Sequence, residues 1–310
     1  MTVTDTARAD WLEWRRGGIG ASDVAAILGI SPWASAWSVW AEKVGLLADD
    51  DNEALEAGRW LELAIAPWFA ARTGLFVVGE QTWRENRAQS RHRCTVDGFV
   101  SESRHAADDF TISDPTGVLD VLGVLEIKTE AFGQRWETIP EHYQAQGQWQ
   151  LHVTDLEHVW FATLHDRRLE IYELARDQAD IDLTVERVDA FWRDHVLTGE
   201  PPEADGSEAT ARALASVYPR HTPGQAVAVD PVNVERWLRA KAAATDAAER
   251  VRARSNELRA ELAGAEEGTV DGRRVVSLRS QTRTTRCAHC QHSETSDPFR
   301  VLRVVKEATS

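Results

Sequence analysis

Cysteine is scarce in this chain of 310 residues: there are three, Cys94, Cys287 and Cys290, an odd number and too few for a disulfide framework. That excludes a disulfide-stapled secreted fold and fits a reducing compartment. Long apolar runs are missing as well. No stretch approaches the ~18 residues that a membrane span needs, and Met1 to Asp10 is polar, unlike a signal peptide. The expected location is the cytoplasm, with no membrane partner. Positive charge is in deficit: 35 Lys and Arg stand against 50 Asp and Glu, for a formal net charge of -15. A protein coated in basic surface is therefore excluded, and a nucleic-acid partner would have to meet positive charge concentrated in a cleft. What is present is 43% hydrophobic residues over a length sufficient for one large domain or two smaller ones.

One stretch organises the rest, Gly123-Val124-Leu125-Glu126-Ile127-Lys128. Side chains two apart on a strand share a face, so Glu126 and Lys128 point the same way out of an apolar run. Burying either charge is costly unless it is paired or ligated, and a Glu-x-Lys in an apolar strand therefore points to a metal and a reaction. Two aspartates compete as the partner carboxylate: Asp97, in the turn signal Asp97-Gly98, and Asp120, six residues before Glu126.

The surrounding pattern mixes helices and strands. Glycines at 17, 18 and 20 let the backbone approach something closely, and Ser22 and Asp23 cap a helix from Val24 to Leu28. With Arg15 and Arg16 beside it, this is either a phosphate seat or an ordinary capped helix with solvated arginines. Helices follow over Ser35 to Val44 and Glu53 to Thr73. In the second, Leu61, Ile65, Trp68 and Phe69 follow helical spacing, Glu62 lies at the edge of that face, and Pro67 predicts a kink or break. Strands are expected at Leu75 to Val78, Gln81 to Trp83, Cys94 to Val100 and Val118 to Ile127, with a surface loop from Ser101 to Pro115. A helix from Pro140 to near Thr154 carries Tyr143, Gln146 and Gln148, whose amides can bond a phosphate or base without competing for a metal. Strands at Val159 to Leu164 and Arg168 to Leu174 and a helix from Ile181 to Val196 finish this unit.

The expected division is 1–205, a linker at 206–230 holding a short helix from Ser207 to Ala215, and 231–310. Asp230 caps a helix with Pro231 in its first turn, running to about Glu267. Trp237, Ala244, Val251, Leu258 and Ala265 recur every seven residues, a narrow stripe suited to packing on one other helix or on the body of the protein. A basic hairpin follows, with strands at Arg274 to Arg279 and Phe299 to Val305, and reads as a nucleic-acid contact or as solvated arginines. Cys287, His289, Cys290 and His292 are zinc-ligand types, but all four fall within six residues where zinc sites draw on two separated pairs.

Several of these residues come together as a family pattern. Trp11, Arg15 and Gly20-Ala21-Ser22, then Gly58-Arg59 with Glu62, Asp97-Gly98, Glu126-Ile127-Lys128, and Tyr143 with Gln146 and Gln148 occur in the order and rough spacing of the YqaJ-type viral recombinases. That group resembles the lambda phage exonuclease and has the PD-(D/E)xK nuclease fold. The resemblance covers roughly Trp11 to Pro202. It departs at Val96, where the family usually has proline, and in the longer interval from Asp97 to Glu126, which keeps Asp120 open as a substitute.

The resemblance implies an α/β fold with a restriction-endonuclease-like core, a mixed central sheet flanked by helices. It implies that Asp97, Glu126 and the Ile127 carbonyl ligate a divalent cation with Glu62 completing the site, and that Lys128 orients or activates the attacking water. Gln146 and Gln148 would support the metal site or the substrate backbone, and Arg15, Ser22 and Tyr143 would bind phosphate or DNA. Hard oxygen donors favour Mg²⁺, with Mn²⁺ as substitute. The implied activity is exonucleolytic cleavage of double-stranded DNA ends for a single-strand annealing protein, in a phage or prophage recombination system, by a homo-oligomer. The rival from another class is a catalytically inactive DNA-binding adaptor on the same fold.

Overall fold

The computed structural model describes residues 5–48, 53–79, 81–103, 121–129, 135–286, 293–295, 297 and 299–305. By its internal contacts the chain forms two compact units, Met1–His221 and Thr222–Ser310.

In the first unit, helices α1 (Asp5–Arg16), α2 (Ala21–Ile27), α3 (Ala36–Lys43) and α4 (Glu53–Thr73) precede strands β1 (Phe76–Val78), β2 (Thr82–Glu85), β3 (Arg93–Val96), β4 (Gly98–Ser101) and β5 (Val121–Thr129). Then come α5 (Glu141–Thr154), β6 (His158–His165), β7 (Arg168–Ala175), α6 (Gln178–Phe191) with a π-helical turn Trp192–Val196, and α7 (Glu208–Val217). The central sheet runs β1-β4-β5-β6-β7 and is mixed: β5 and β6 are parallel, the other pairs antiparallel. Helices cover both faces. On one, Ile65, Ala66 and Phe69 of α4 pack on Val100, Leu125, Ile127, Ala162 and Leu169. On the other, α2, α3, α5 and α6 bury Val124, Val159 and Phe161. This is the mixed-sheet architecture expected from the sequence.

Four details differ from expectation. Cys94 to Val100 is two strands, because the chain changes partner at Asp97: β3 pairs with β2, while β4 joins β1 and β5. Gly98 permits that crossing, since a Cβ there would meet a Val77 methyl at 2.7 Å. Pro67 lies within an unbroken α4; it is on the exposed side, where water can satisfy the carbonyl that it frees. Helix α2 starts at Ala21 rather than Val24, because the Asp23 carboxylate accepts the Gly20 N–H at 2.9 Å and closes the first turn early. The short helix assigned to a linker, α7, belongs to the first unit: Ala213 joins its core and Thr210 Oγ1 donates to Ser35 Oγ at 2.8 Å.

The second unit begins with α8 (Pro231–Leu262), capped by Asp230. It ends five residues short of Glu267, where Ala263 takes a positive φ and the chain turns into β8 (Glu267–Val270), paired with β9 (Arg273–Gln281). Strands β10 (Thr284–Arg286), β11 (Ser293–Thr295) and β12 (Phe299–Val304) follow, β12 completing a three-stranded antiparallel sheet. The seven-residue stripe is exposed, with Trp237 at 60% and Val251 at 66%, and Leu262 is the buried residue of α8. Asp120 and the Cys287, His289, Cys290 and His292 cluster lie outside the described residues.

Candidate active site

Strand β5 carries the site. Glu126 and Lys128 leave it on one face, as period two requires, and the Lys128 ammonium meets Glu126 Oε1 at 2.5 Å. Glu126 is 4% exposed and is held from helix α5 as well: Gln146 Nε2 donates to Oε1 and Gln150 Nε2 to Oε2, each at 2.6 Å. Asp97, at the join of β3 and β4, lies beside β5, and its Oδ2 accepts the Ile127 N–H at 2.7 Å. Glu62 arrives from α4. The inward line of that helix is Glu62, Ile65, Ala66 and Phe69, whereas Leu61 and Trp68 are exposed, so Glu62 is in the inward row and not at its margin. The Gln81 amide, on a residue with φ of 53°, links the carboxylates: its Nε2 donates to Glu62 Oε2 at 2.9 Å and to Asp97 Oδ1 at 3.2 Å.

Electrostatics marks this as a place short of positive charge. Burial, then Glu126 and Glu62, push the Asp97 carboxyl well above the ordinary range. Burial and then Glu126 likewise raise Glu62. Burial works against a charged Lys128, but Glu126 and Asp97 outweigh it and raise its pKa, so the amine stays an ammonium. Three carboxyl groups thus crowd around the Lys128 ammonium, with Arg59 also acting on Glu62. Among the described residues no three His, Cys, Asp or Glu side chains are gathered closely enough to hold one metal ion as they stand. The oxygens are instead capped by protein donors, with Gln81 between Glu62 and Asp97. The donor set still suits a hard divalent ion, since its ligand atoms are carboxylate oxygens; the Cys94 thiol is buried and, through burial and then Glu126, its pKa is raised.

Of the residues expected to bind phosphate, Arg15 and Ser22 lie side by side. Arg15 Nη2 lies 3.5 Å from Ser22 Oγ, and both line a cavity of about 90 Å³ with Trp11, Arg93, Thr95 and Gln146, the last of which reaches Glu126. Yet Arg15 also pairs with Asp23 Oδ1 at 3.1 Å. Asp23 Oδ2 pairs with buried Lys43 at 2.6 Å, a group that sequence reasoning missed. Burial alone would raise Asp23, but Lys43 and then Arg15 depress its pKa, so the carboxylate stays charged. Tyr143 lies beneath the active-site ammonium, with Lys128 Nζ 5.0 Å from its ring centre.

Gln148 is not in the site. Its amide donates to the Ala175 carbonyl at 2.8 Å and accepts the Asp177 N–H at 2.9 Å, tying α5 to the start of α6. Residues 146 and 150 share a helix face, while 148 points about 200° around the axis from 146. Gln150, four residues after Gln146, takes the expected place, and helical spacing is the signal that identifies it.

A mixed sheet bearing two acids and a lysine on β5 and at its neighbouring crossover, with a third acid from the first long helix, defines the PD-(D/E)xK class of fold. Residues 10–157 match the profile of the YqaJ-like viral recombinase domain. It is 29% identical over 279 residues to an uncharacterised protein, YqaJ, of Bacillus subtilis (strain 168), covering 86% of this chain and 82% of that one. Similar solved structures include an alkaline exonuclease, LHK-Exo, from Laribacter hongkongensis, with 19% identity, 62% of this chain, 94% of that chain and a TM-score of 0.47. A phage-related exonuclease from Haemophilus somnus 129PT is another, with 14% identity, 59% and 96% coverage and a TM-score of 0.43. Among the described residues no helix is long and apolar enough to cross a membrane.

Proposed function

We propose that this protein is a Mg²⁺-dependent deoxyribonuclease that digests duplex DNA from its ends, exposing single strands for an annealing partner in a phage or prophage recombination system. Mn²⁺ substitutes for Mg²⁺, and the working form is a homo-oligomer. The observation that carries the nuclease reading is the meeting of Asp97, Glu126 and Lys128 around β5, with Glu62 tied in through Gln81. Asp97, Glu126 and the Ile127 carbonyl hold the cation, and Glu62 completes the site. When bound, the cation supplies Lewis acidity at a phosphate oxygen and a nucleophile at neutral pH. Lys128 positions the attacking water and offsets the charge that grows on the phosphoryl group. Gln146 and Gln150 keep Glu126 in one orientation, Tyr143 backs the ammonium, and Arg15 with Ser22 receives a terminal phosphate.

The test is digestion of end-labelled duplex with Mg²⁺. Glu126→Ala and Lys128→Ala are each expected to lower the rate by at least ~10²-fold, the scale of losing one transition-state charge contact. One observation favours a different reading. Every site carboxylate is already satisfied by protein donors, which suits a DNA-binding adaptor with no catalysis. Equal, background-level cleavage by wild type and Lys128→Ala, with DNA still bound, would establish the adaptor.

A further inference from the structure

We propose that Trp33 is a nucleobase-stacking platform that positions the substrate strand beside Lys128. This rests on the nuclease reading and adds a residue to which neither the metal chemistry nor the phosphate cavity assigns a role. Trp33 is 60% exposed although its ring already touches two others. It meets His142 edge-on with centroids 4.9 Å apart, and lies 5.8 Å from Tyr143 at an interplanar angle of 38°. Tyr143 is the ring over which the Lys128 ammonium sits, 5.0 Å from its centre. The exposed indole is therefore one ring away from the amine assigned to the scissile phosphate.

It is also held in place. Ser31 Oγ accepts the N–H groups of both Trp33 and Ala34 at 3.2 Å, and Arg212 of α7 donates to the Trp33 carbonyl at 3.2 Å. A large aromatic kept open to water on a fastened turn is preorganised to stack, since less freedom is lost when it binds. The chemistry selects a base over a phosphate. Burial and then Lys128 lower the pKa of His142, so the ring against Trp33 is neutral at pH 7, and the cluster offers an uncharged π-face. Every base has such a face, so the platform tolerates sequence.

The test is anisotropy of fluorescein-labelled single-stranded and duplex oligonucleotides bound to the full chain in Ca²⁺, with digestion in Mg²⁺ run alongside. Trp33→Ala is expected to weaken binding about 5- to 150-fold, the range for losing one base–aromatic stack, with an unchanged melting temperature, while Trp33→Phe recovers most of it. A set of oligonucleotides with one abasic site at successive positions adds a readout that a merely structural role would not move. One position should penalise the wild type by a similar factor and leave Trp33→Ala indifferent. Equal affinities for wild type and Trp33→Ala, or an equal abasic penalty in both, overturns the platform even where Mg²⁺ cleavage is intact. Trp33-dependent binding without Mg²⁺ cleavage supports the platform and overturns the nuclease reading. Absence of DNA binding overturns both.

Discussion

At the scale of single residues, the two glutamines on α5 separate support of the site from support of the fold. Gln150 is fully buried and spends its amide N–H on Glu126, whereas Gln148 bridges the backbone of Ala175 and Asp177. Gln150→Leu should therefore reduce cleavage by more than tenfold in a protein that still folds, because Glu126 loses a charge-assisted donor in a buried place. Gln148→Ala should do the opposite: stability falls by about 1–3 kcal/mol, the cost of orphaning buried backbone groups, while cleavage per folded molecule stays near wild type. Urea titration with end-labelled digestion checks both, and a cleavage loss confined to Gln148→Ala would reverse the assignment. Lys43 is a second residue whose role is set by burial. Its side chain is 1% exposed against Asp23 at 3%, so Lys43→Met leaves a buried carboxylate paired with the more exposed Arg15. The expected loss is roughly 3–5 kcal/mol, readable as a large drop in melting temperature, with partial recovery in Asp23→Asn/Lys43→Met.

At the scale of elements, a hydrogen-bonded line joins α5 and α6 through His92, the residue before β3. His92 Nδ1 lies 3.0 Å from His152 Nε2 on α5, and His92 Nε2 lies 3.0 Å from Asp189 Oδ1 on α6, which Arg91 also grips at 2.8 Å. Burial, then His92 and Arg176, lower the His152 pKa from 6.5 to about 4, and burial lowers that of His92. A depressed basic group takes up protons more readily when unfolded, so its contribution is intact above pH 6.5 and is lost as pH falls from there toward 4. Chemical denaturation from pH 7.5 to 4 should show that decline, and His152→Gln should flatten it relative to wild type; an unchanged slope would remove His152 as its source.

These elements also mark what the chain discloses before it folds. Strand β5 was legible because period two and the cost of buried charge act within six residues. The inward row of α4 was not, since Leu61 and Trp68 are large and apolar yet face water, while Glu62 takes the core-facing line. Lys43 reads as the polar end of an amphipathic helix because its partner Asp23 is distant along the chain and meets it through packing alone.

At the scale of the whole molecule, every residue assigned to cation, phosphate or base lies in the unit Met1–His221. The next unit begins at Thr222, in an exposed stretch that precedes α8. A fragment of residues 1–221 should therefore unfold cooperatively and keep the cation response of the full chain. That response follows from the charge crowding: a divalent ion that binds the folded site and not the unfolded chain stabilises it by RT ln(1 + [L]/Kd), about 2.7 kcal/mol at a hundredfold excess over Kd. With a net charge of -15, any cation also relieves general repulsion, so raised salt alone shifts the midpoint. The specific part is the shift by Mn²⁺ at constant ionic strength. Asp97→Asn should abolish it, because the amide of asparagine has lost the charge that burial beside Glu126 and Glu62 makes costly. A shift of equal size in wild type and Asp97→Asn would mean that the ion is held elsewhere on the acidic surface, and Asp97 would lose its place in the site.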